Sequence, residues 1–223
     1  MKLCPHAVIF DFDYTLGDSS GPAIDCVNFA LGRMGLPAAT DEAIRRTIGL
    51  SLPDTLRTLT GEQYASRSQE FSYLFVERAE KVMQNGTSVF EMVPGVLRAL
   101  SRRRIALGIV SSKYRYRIEG ILKREGLLPF FDTIVGGEDV LVHKPDPTSL
   151  IKAIKQLDVV PSTTLYVGDS VTDAETAVRA GVPFVAVLSG VTPEADFRGY
   201  SPVHILESVA GLPDLVRTDE VNR

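Results

Sequence analysis

Two aspartates at the end of a hydrophobic segment, Asp11 and Asp13, are the first residues in the chain whose types and spacing could do chemistry. The segment 7–11, AVIFD, has the composition of a buried β-strand. Extended geometry puts side chains two residues apart on the same side of the backbone, so both carboxylates face one way. Taken alone, the pair is explained equally well by an acidic surface loop or by an acidic cap on a following helix.

A second hydrophobic segment also ends in acids, because TLYVGDSVTD places Asp169 at its end and Asp173 four residues later, at helical spacing. A helix N-cap explains one aspartate but not a cluster of acids at the ends of two strands. Carboxylates that converge in a poorly solvated site repel each other unless a divalent cation holds them, and oxygen ligands alone suit Mg²⁺. We therefore predict a magnesium site built by Asp11, Asp13, Asp169 and Asp173.

Basic and hydroxyl side chains follow other apolar segments. Ser111, Ser112 and Lys113 come directly after IALGIV, and Lys144 lies in the proline-rich turn VHKPDP. A lysine charge and a hydroxyl are groups that neutralise and hydrogen-bond a phosphoryl group. A lysine before proline is more often an exposed loop residue, so the prediction rests on the combination and not on any single residue.

Six short apolar runs bounded by turn residues could position these groups. Their length and β-branched content predict buried parallel strands, and helical patterns lie between most of them. The runs are 7–11, 105–111, 133–137, 164–169, 184–188 and 203–206. This alternation predicts an α/β fold, a doubly wound parallel sheet in a Rossmann-like core with helices on both faces.

The stretch from about 18 to 90 interrupts this alternation, because it shows helical spacing and no convincing strand. It follows the first strand directly, so it leaves and re-enters the sheet beside the strand ends where open α/β sheets bind ligands. We predict a helical cap domain at 18–89 over a catalytic core at 1–17 and 90–223. The predicted hinges are 17–22 and 92–95.

The composition excludes several classes of protein. The chain has 223 residues, of which 44% are hydrophobic, and a net charge of −4, which excludes a disulfide-stapled miniprotein and a disordered chain. The acidic balance argues against a nucleic-acid binder, and no apolar run approaches the roughly 20 residues of a membrane span. Cys4 and Cys26 lack metal-site spacing and are interpreted as reduced core thiols. With no signal peptide recognised before Asp11, we predict a cytoplasmic protein.

The motifs DFDYT, Ser111, Lys144 and GDSVTD, in this order and spacing, resemble the four motifs of the haloacid dehalogenase superfamily of phosphohydrolases. The resemblance covers essentially the whole chain. The insertion resembles the helical cap of the branch that contains phosphoglycolate phosphatases, related pyrophosphatases and β-phosphoglucomutases. The segments GLPAATDEAIRRTIGLSLPDTL and GVTPEAD are similar to the phosphoglycolate phosphatase side of that branch.

The resemblance implies a chemical role for each motif residue. Asp11 would be the nucleophile that forms an aspartyl-phosphate, and Asp13 would be the general acid and base. Ser111 and Lys144 would hold the transferring phosphoryl group.

The cofactor that the resemblance implies is Mg²⁺. The carboxylates of Asp11 and Asp169 and the backbone carbonyl of Asp13 would ligate it, and Asp173 would support the site from close by. These implied ligands agree with the acids singled out above.

Further substrate contacts are expected from residues near these motifs and in the cap. They are Tyr14, Thr15, Arg45, Ser112 and Lys113. Tyr14 stands where members of the family often have glycine, so we expect its ring to line the cap entrance. Arg45 could bind a substrate carboxylate or second phosphate, with a solvated helix face as the alternative. The segment YRYR at 114–117 is expected to help steer an anionic substrate, and His143 is interpreted as structural.

These inferences predict a Mg²⁺-dependent phosphatase for a small phosphomonoester, with 2-phosphoglycolate as the first guess. The alternatives are a pyrophosphatase, a sugar-phosphate phosphotransferase or mutase, and a non-catalytic binding protein. The β-phosphoglucomutases carry His and Arg where this chain has Ala23 and Leu52, which disfavours a mutase. The expected partner is a small phosphorylated metabolite, with no nucleic acid or membrane, and the chain is expected to be a monomer or a homodimer.

Overall fold

The predicted strands form a central parallel sheet in a computed structural model, which describes residues 3–217. In chain order the strands are β1 (Ala7–Phe10), β2 (Gly17–Asp18), β3 (Ser88–Val89), β4 (Ala106–Val110), β5 (Thr133–Val135), β6 (Thr164–Gly168), β7 (Phe184–Val187) and β8 (His204–Leu206). Six of them make one sheet in the order β5-β4-β1-β6-β7-β8, with all neighbours parallel. The strand that precedes Asp11 therefore lies inside the sheet, between β4 and β6.

Helices connect the strands. They are α1 (Ser20–Arg33), α2 (Asp41–Arg45), α3 (Leu52–Thr60), α4 (Ser68–Gly86), α5 (Val93–Arg102), α6 (Arg115–Arg124), α7 (Thr148–Gln156), α8 (Val171–Ala180) and α9 (Leu212–Leu215). Within residues 3–217, none of the helices has the length and apolar character that crossing a membrane requires.

Alternate residues of β1 pack on opposite faces of the sheet, as extended geometry dictates. Phe10 belongs to a buried cluster that includes Leu97 of α5. Ile9 belongs to a second buried cluster that includes Ile154 of α7. Because helices cover both faces, the predicted doubly wound α/β fold is confirmed.

The helices α1 to α4 enclose a buried cluster of their own. It includes Leu31 of α1, Ile44 of α2, Leu56 of α3 and Phe71 of α4. The limits of the cap at 18 and 89 and the division into two domains stay a prediction. Residues 1–2 and 218–223 of the predicted core lie outside the described residues.

The expectation of no strand between about 18 and 90 is wrong, because β2 and β3 pair antiparallel at the two ends of this stretch. Each strand has only two residues, which is too short to show an alternating pattern. A Cβ atom on Gly17 would lie 2.7 Å from the carbonyl oxygen of Ser88. Glycine therefore allows the chain leaving the sheet to run against the chain returning to it.

The two cysteines lie in different environments. Cys26 is buried in the cluster between α1 and α4, and this burial raises the pKa of its thiol to about 12. Cys4 is exposed. The expectation of two core thiols is therefore wrong for Cys4, which lies ahead of the buried strand β1.

Candidate active site

The chain makes a tight turn directly after β1. The backbone N–H of Asp11 donates to the carbonyl of Val167 at 2.9 Å, and the N–H of Leu16 donates to the carbonyl of Phe12 at 2.9 Å. Between these bonds Tyr14 adopts φ = +58°, in the left-handed region that favours glycine. The turn leaves both Asp11 and Asp13 buried at the carboxyl end of the central strand.

Three of the four predicted acids form a buried cluster. Asp11, Asp169 and Asp173 each place a carboxylate oxygen within 4.8 Å of the others. Asp169 follows β6, which pairs with β1, and Asp173 lies in the first turn of α8, where it forms a capping box with Ser170. The carboxyl ends of two neighbouring strands and the start of one helix therefore bring together acids that are far apart in the sequence.

Lys144 lies among these acids. Its ammonium nitrogen is 3.1 Å from Oδ1 of Asp11 and 2.6 Å from Oδ1 of Asp173. It also donates to the hydroxyl of Tyr166 at 3.3 Å. Burial would lower the pKa of Lys144, but the carboxylates of Asp11 and Asp173 together raise it above its ordinary value. The lysine is therefore a fixed positive charge beside the predicted nucleophile.

The acid cluster has more negative charge than this one lysine can neutralise. Burial, opposed by Lys144 and reinforced by Asp173 and Asp13, raises the pKa of Asp11 to about 7. Burial, then the neighbouring Asp173, raises the pKa of Asp169 well above its ordinary value. Buried carboxylates that resist ionisation next to one another suit a hard divalent cation such as Mg²⁺. These residues thus fit the predicted cofactor.

Two residues of the turn after β1 support this cluster. Thr15 donates its hydroxyl to Oδ1 of Asp169 at 3.1 Å, so it orients an acid; its predicted contact with substrate stays a prediction. Tyr14 is buried, and its carbonyl accepts a hydrogen bond from Ser189 at 2.5 Å. Burial raises the pKa of the Tyr14 phenol, and the nearby Arg45 of the cap opposes that shift.

The end of β4 supplies the predicted hydroxyl and a second lysine. Ser111 is buried, and its N–H donates to the carbonyl of Val135 at 3.1 Å. The ammonium of Lys113 lies 3.2 Å from Oδ2 of Asp13, with both side chains nearly inaccessible to solvent. The structure thus pairs Lys113 with the predicted general acid.

A cavity of about 320 Å³ lies between the helical insertion and these strand ends. Its core side includes Asp13, Ser112 and Lys113. Its insertion side is largely apolar or hydroxylic and includes Ile44, Thr47, Leu52, Thr55 and Phe75. The cavity has the size of a pocket for a small molecule.

Comparison with known proteins agrees with this geometry. The sequence model of the family described as haloacid dehalogenase-like hydrolase matches residues 8–187. The chain belongs to this family. The resemblance stated from the motifs is therefore confirmed, and the protein is a haloacid dehalogenase-like hydrolase.

Relatives of this hydrolase include curated phosphoglycolate phosphatases. The one from Xanthomonas campestris pv. campestris is 30% identical over 186 residues, covering 83% of this chain and 84% of its own. The one from Yersinia pestis is 29% identical over 189 residues, covering 83% and 82%. A crystal structure of a haloacid dehalogenase-like hydrolase from Bacteroides fragilis is 39% identical, with a TM-score of 0.90 and coverage of 93% and 99%.

The cavity of the hydrolase also contains residues that sequence analysis did not place there. Arg117 and His143 lie in its wall, although His143 was interpreted as structural and Arg117 only as part of a steering segment. Arg117 follows the motif residue Ser111 by only six residues, and this closeness in sequence is the signal that could have placed it near the site. Arg45, the predicted cap contact, lies beside the hydroxyl of Tyr14, and its contact with substrate stays a prediction.

Proposed function

We propose that this hydrolase is a Mg²⁺-dependent phosphatase of small phosphomonoesters, with 2-phosphoglycolate as its preferred substrate. The observation that carries the proposal is the buried cluster of Asp11, Asp169 and Asp173 around Lys144, next to a small-molecule cavity that Asp13 lines. The curated phosphoglycolate phosphatases among its relatives support the choice of substrate.

In the first step, a carboxylate oxygen of Asp11 attacks phosphorus, and the bond to the leaving oxygen breaks. Lys144, 3.1 Å from Asp11, favours the ionised form of the nucleophile and neutralises charge on the phosphoryl group, and the hydroxyl of Ser111 hydrogen-bonds to that group. Asp13 gives its proton to the leaving oxygen. The products of this step are the free alcohol and an aspartyl-phosphate on Asp11.

In the second step, Asp13 takes a proton from water as that water attacks phosphorus. The Asp11–phosphate bond breaks, phosphate leaves, and both carboxyl groups return to their starting states. Asp11, Asp169 and the backbone carbonyl of Asp13 would hold Mg²⁺, with Asp173 in support; the bound ion supplies electrostatic stabilisation of the transferring phosphoryl group. Closure of the cap, residues 18–89, would exclude bulk water during the first step.

The cavity lining disfavours the mutase alternative. Ala23 and Leu52, which occupy the positions of the mutase His and Arg, both lie in the cavity wall. An alanine methyl and a leucine side chain can neither move a proton nor bind an anion. A sugar hydroxyl would therefore lack the groups that make it an acceptor.

We further propose that the protein acts in the cytoplasm on a small phosphorylated metabolite, as a monomer or a homodimer. The acidic net charge of −4 supports a partner that is not a nucleic acid.

The test is phosphate release from a panel of 2-phosphoglycolate, pyrophosphate, sugar phosphates and nucleotides, with Mg²⁺ and with a chelator. Mg²⁺-dependent release with the highest kcat/KM for 2-phosphoglycolate is expected. Conservation of esterified phosphate in a rearranged product would establish a mutase. Stoichiometric Mg²⁺ binding without turnover of any compound would establish a binding protein.

A further inference from the structure

We infer that Arg117 binds a second anionic group of the substrate, a carboxylate or a phosphate, other than the phosphoryl group that reacts. This inference rests on the proposed phosphatase function, and it assigns to a residue of the core what the sequence assigned to Arg45 of the cap.

Arg117 occupies a position that is unfavourable for a cation. It lies in the first turn of α6, where the helix dipole favours negative charge, and only 6% of its surface is exposed. A buried arginine at a helix N-terminus is electrostatically unfavourable unless acceptors surround it. Its presence in the cavity wall therefore calls for an anionic partner.

The contacts of Arg117 satisfy only part of its guanidinium group. One terminal nitrogen donates to Oε1 of Glu80 at 2.7 Å, and the guanidinium carbon lies 5.0 Å and 5.3 Å from the ring centroids of Tyr114 and Tyr116. The Nε atom is buried and has no hydrogen-bond partner among residues 3–217. The two tyrosine rings thus hold the guanidinium group in place, and its hydrogen-bonding capacity is only partly used.

Glu80, the ion-pair partner of Arg117, does not fully neutralise the positive charge that a ligand in the cavity would meet. The Glu80 side chain is 50% exposed, so water screens its charge strongly. Tyr116 also donates its hydroxyl to the Glu80 carboxylate. A buried cation with a half-exposed counter-ion keeps a favourable potential for a second anion on its buried side.

Lys113 and Arg117, two basic residues of the cavity wall, have different partners. Lys113 pairs with Asp13 at 3.2 Å, at the end where the reaction takes place. The insertion contributes mainly apolar and hydroxyl groups to the wall, including Ile44, Thr47 and Phe75. Arg117 is thus the basic group of the wall that has both a buried position and an unused donor, and planar guanidinium suits a carboxylate or phosphate.

The test compares kcat/KM for 2-phosphoglycolate, which carries a carboxylate, pyrophosphate, which carries a second phosphate, and ethyl phosphate, which carries neither. The wild-type protein is expected to prefer an anionic substrate. Arg117→Met is expected to lower the ratio of kcat/KM for that substrate over ethyl phosphate by at least about tenfold, as loss of one charge-assisted hydrogen bond implies. The anionic substrate whose kcat/KM falls more in Arg117→Met identifies the group that Arg117 binds.

Glu80→Gln is the matched control, because it breaks the same ion pair and leaves the guanidinium in place. It is expected to keep the ratio within about threefold of wild type, the range set by loss of a partly exposed ion pair. An equal fall of the ratio in both variants, or a wild-type protein that turns over ethyl phosphate as well as the anionic substrates, would overturn the inference and leave the phosphatase function intact.

Binding to the inactive Asp11→Asn protein separates the inference from the proposed function. The probes are two phosphonates that cannot be hydrolysed, 3-phosphonopropionate and propylphosphonate. Calorimetry is expected to show tighter binding of the carboxylate-bearing probe, with the difference lost in the double variant Asp11→Asn, Arg117→Met. Equal affinity for the two probes contradicts recognition of a carboxylate by Arg117 whether or not any substrate is hydrolysed.

Discussion

Two opposing effects act on the pKa of Asp11. Burial favours its neutral form and raises its pKa to about 7, while Lys144 at 3.1 Å favours the carboxylate. Once ionised, a nucleophile that water does not solvate reacts without first losing a hydration shell. The same burial makes Asp11 sensitive to any change of charge around it.

Replacement of Asp11 by asparagine is expected to lower the rate of phosphate release by at least about a thousandfold, because removal of an essential nucleophile leaves only binding and electrostatic effects. The matched control is Asp146→Asn, which alters a partly buried acid two residues after Lys144, whose carboxylate accepts a hydrogen bond from the N–H of Thr148. The control is expected to keep wild-type activity. Residual turnover of Asp11→Asn within tenfold of wild type would exclude Asp11 as the nucleophile.

The acid cluster also predicts how pH affects the metal-free protein. A carboxyl group with a higher pKa in the folded state binds more protons when folded, so stability falls as pH rises through the window from 3.8 to about 7 given by Asp11. Urea midpoints in chelator are expected to fall from pH 5 to pH 8, and less so in Asp11→Asn. Mg²⁺ is expected to raise the midpoint more at pH 8 than at pH 5. A midpoint that climbs over this range, or that Asp11→Asn leaves unaffected, contradicts this account.

The acids of the motifs could be predicted from sequence, because they lie at or shortly after the ends of two apolar runs and parallel strands bring such ends together. The cluster of Asp11, Asp169 and Asp173 is the result. The role of Arg117 could not be predicted in the same way. Its position in the cavity depends on how α6 packs against α4, and the YRYR segment does not reveal which side chain faces inward.

At the scale of the elements, the ends of the core helices show how local sequence determines local structure. After α6 and α8 the chain adopts a left-handed conformation at Gly126 and Gly181, with φ = +69° and +67°. After α5 it does so at Arg104, with φ = +58°. A side chain in that region is strained where glycine is not.

Arg104→Gly is therefore expected to raise the free energy of unfolding by about 0.5–1 kcal/mol, since the residue is exposed and its conformation favours glycine. Arg98→Gly, the same change at an exposed position inside α5, is expected to lower it by about 1 kcal/mol. Urea denaturation of the two variants measures both effects. The same sign of change in the two proteins would show that strain at Arg104 is negligible.

The six strands of the main sheet could be predicted because each is a run of apolar residues long enough to stand out. The β2–β3 ribbon could not, because Gly17, Asp18, Ser88 and Val89 carry no such pattern. Their pairing depends on the insertion returning the chain to its starting point, which is a property of the tertiary structure. Sequence patterns thus predict strands whose apolar side chains are buried. They miss short strands that only connect two parts of the chain.

At the scale of the whole molecule, this ribbon is where the helical insertion joins the sheet. Gly17→Ala is expected to destabilise the protein by about 1–3 kcal/mol, because the new methyl group would lie 2.7 Å from the backbone oxygen of Ser88. Gly21→Ala is the control, since its Cβ would meet no described atom within 4 Å and it lies in α1. That control is expected to stabilise by about 0.4–1 kcal/mol. Equal midpoints in urea for the two variants would mean that the ribbon adjusts freely.

Because β1 lies inside the sheet, it cannot pair with its two neighbouring strands until later parts of the chain have been synthesised. Ala7 pairs with Ala106 on one side and Thr164 on the other, so both partners of the first strand leave the ribosome long after it. The helices α1 to α4 enclose a cluster whose buried residues lie between 26 and 83, and such local contacts form early. Asp11 is thus among the first residues of the site to be made and among the last to reach its place.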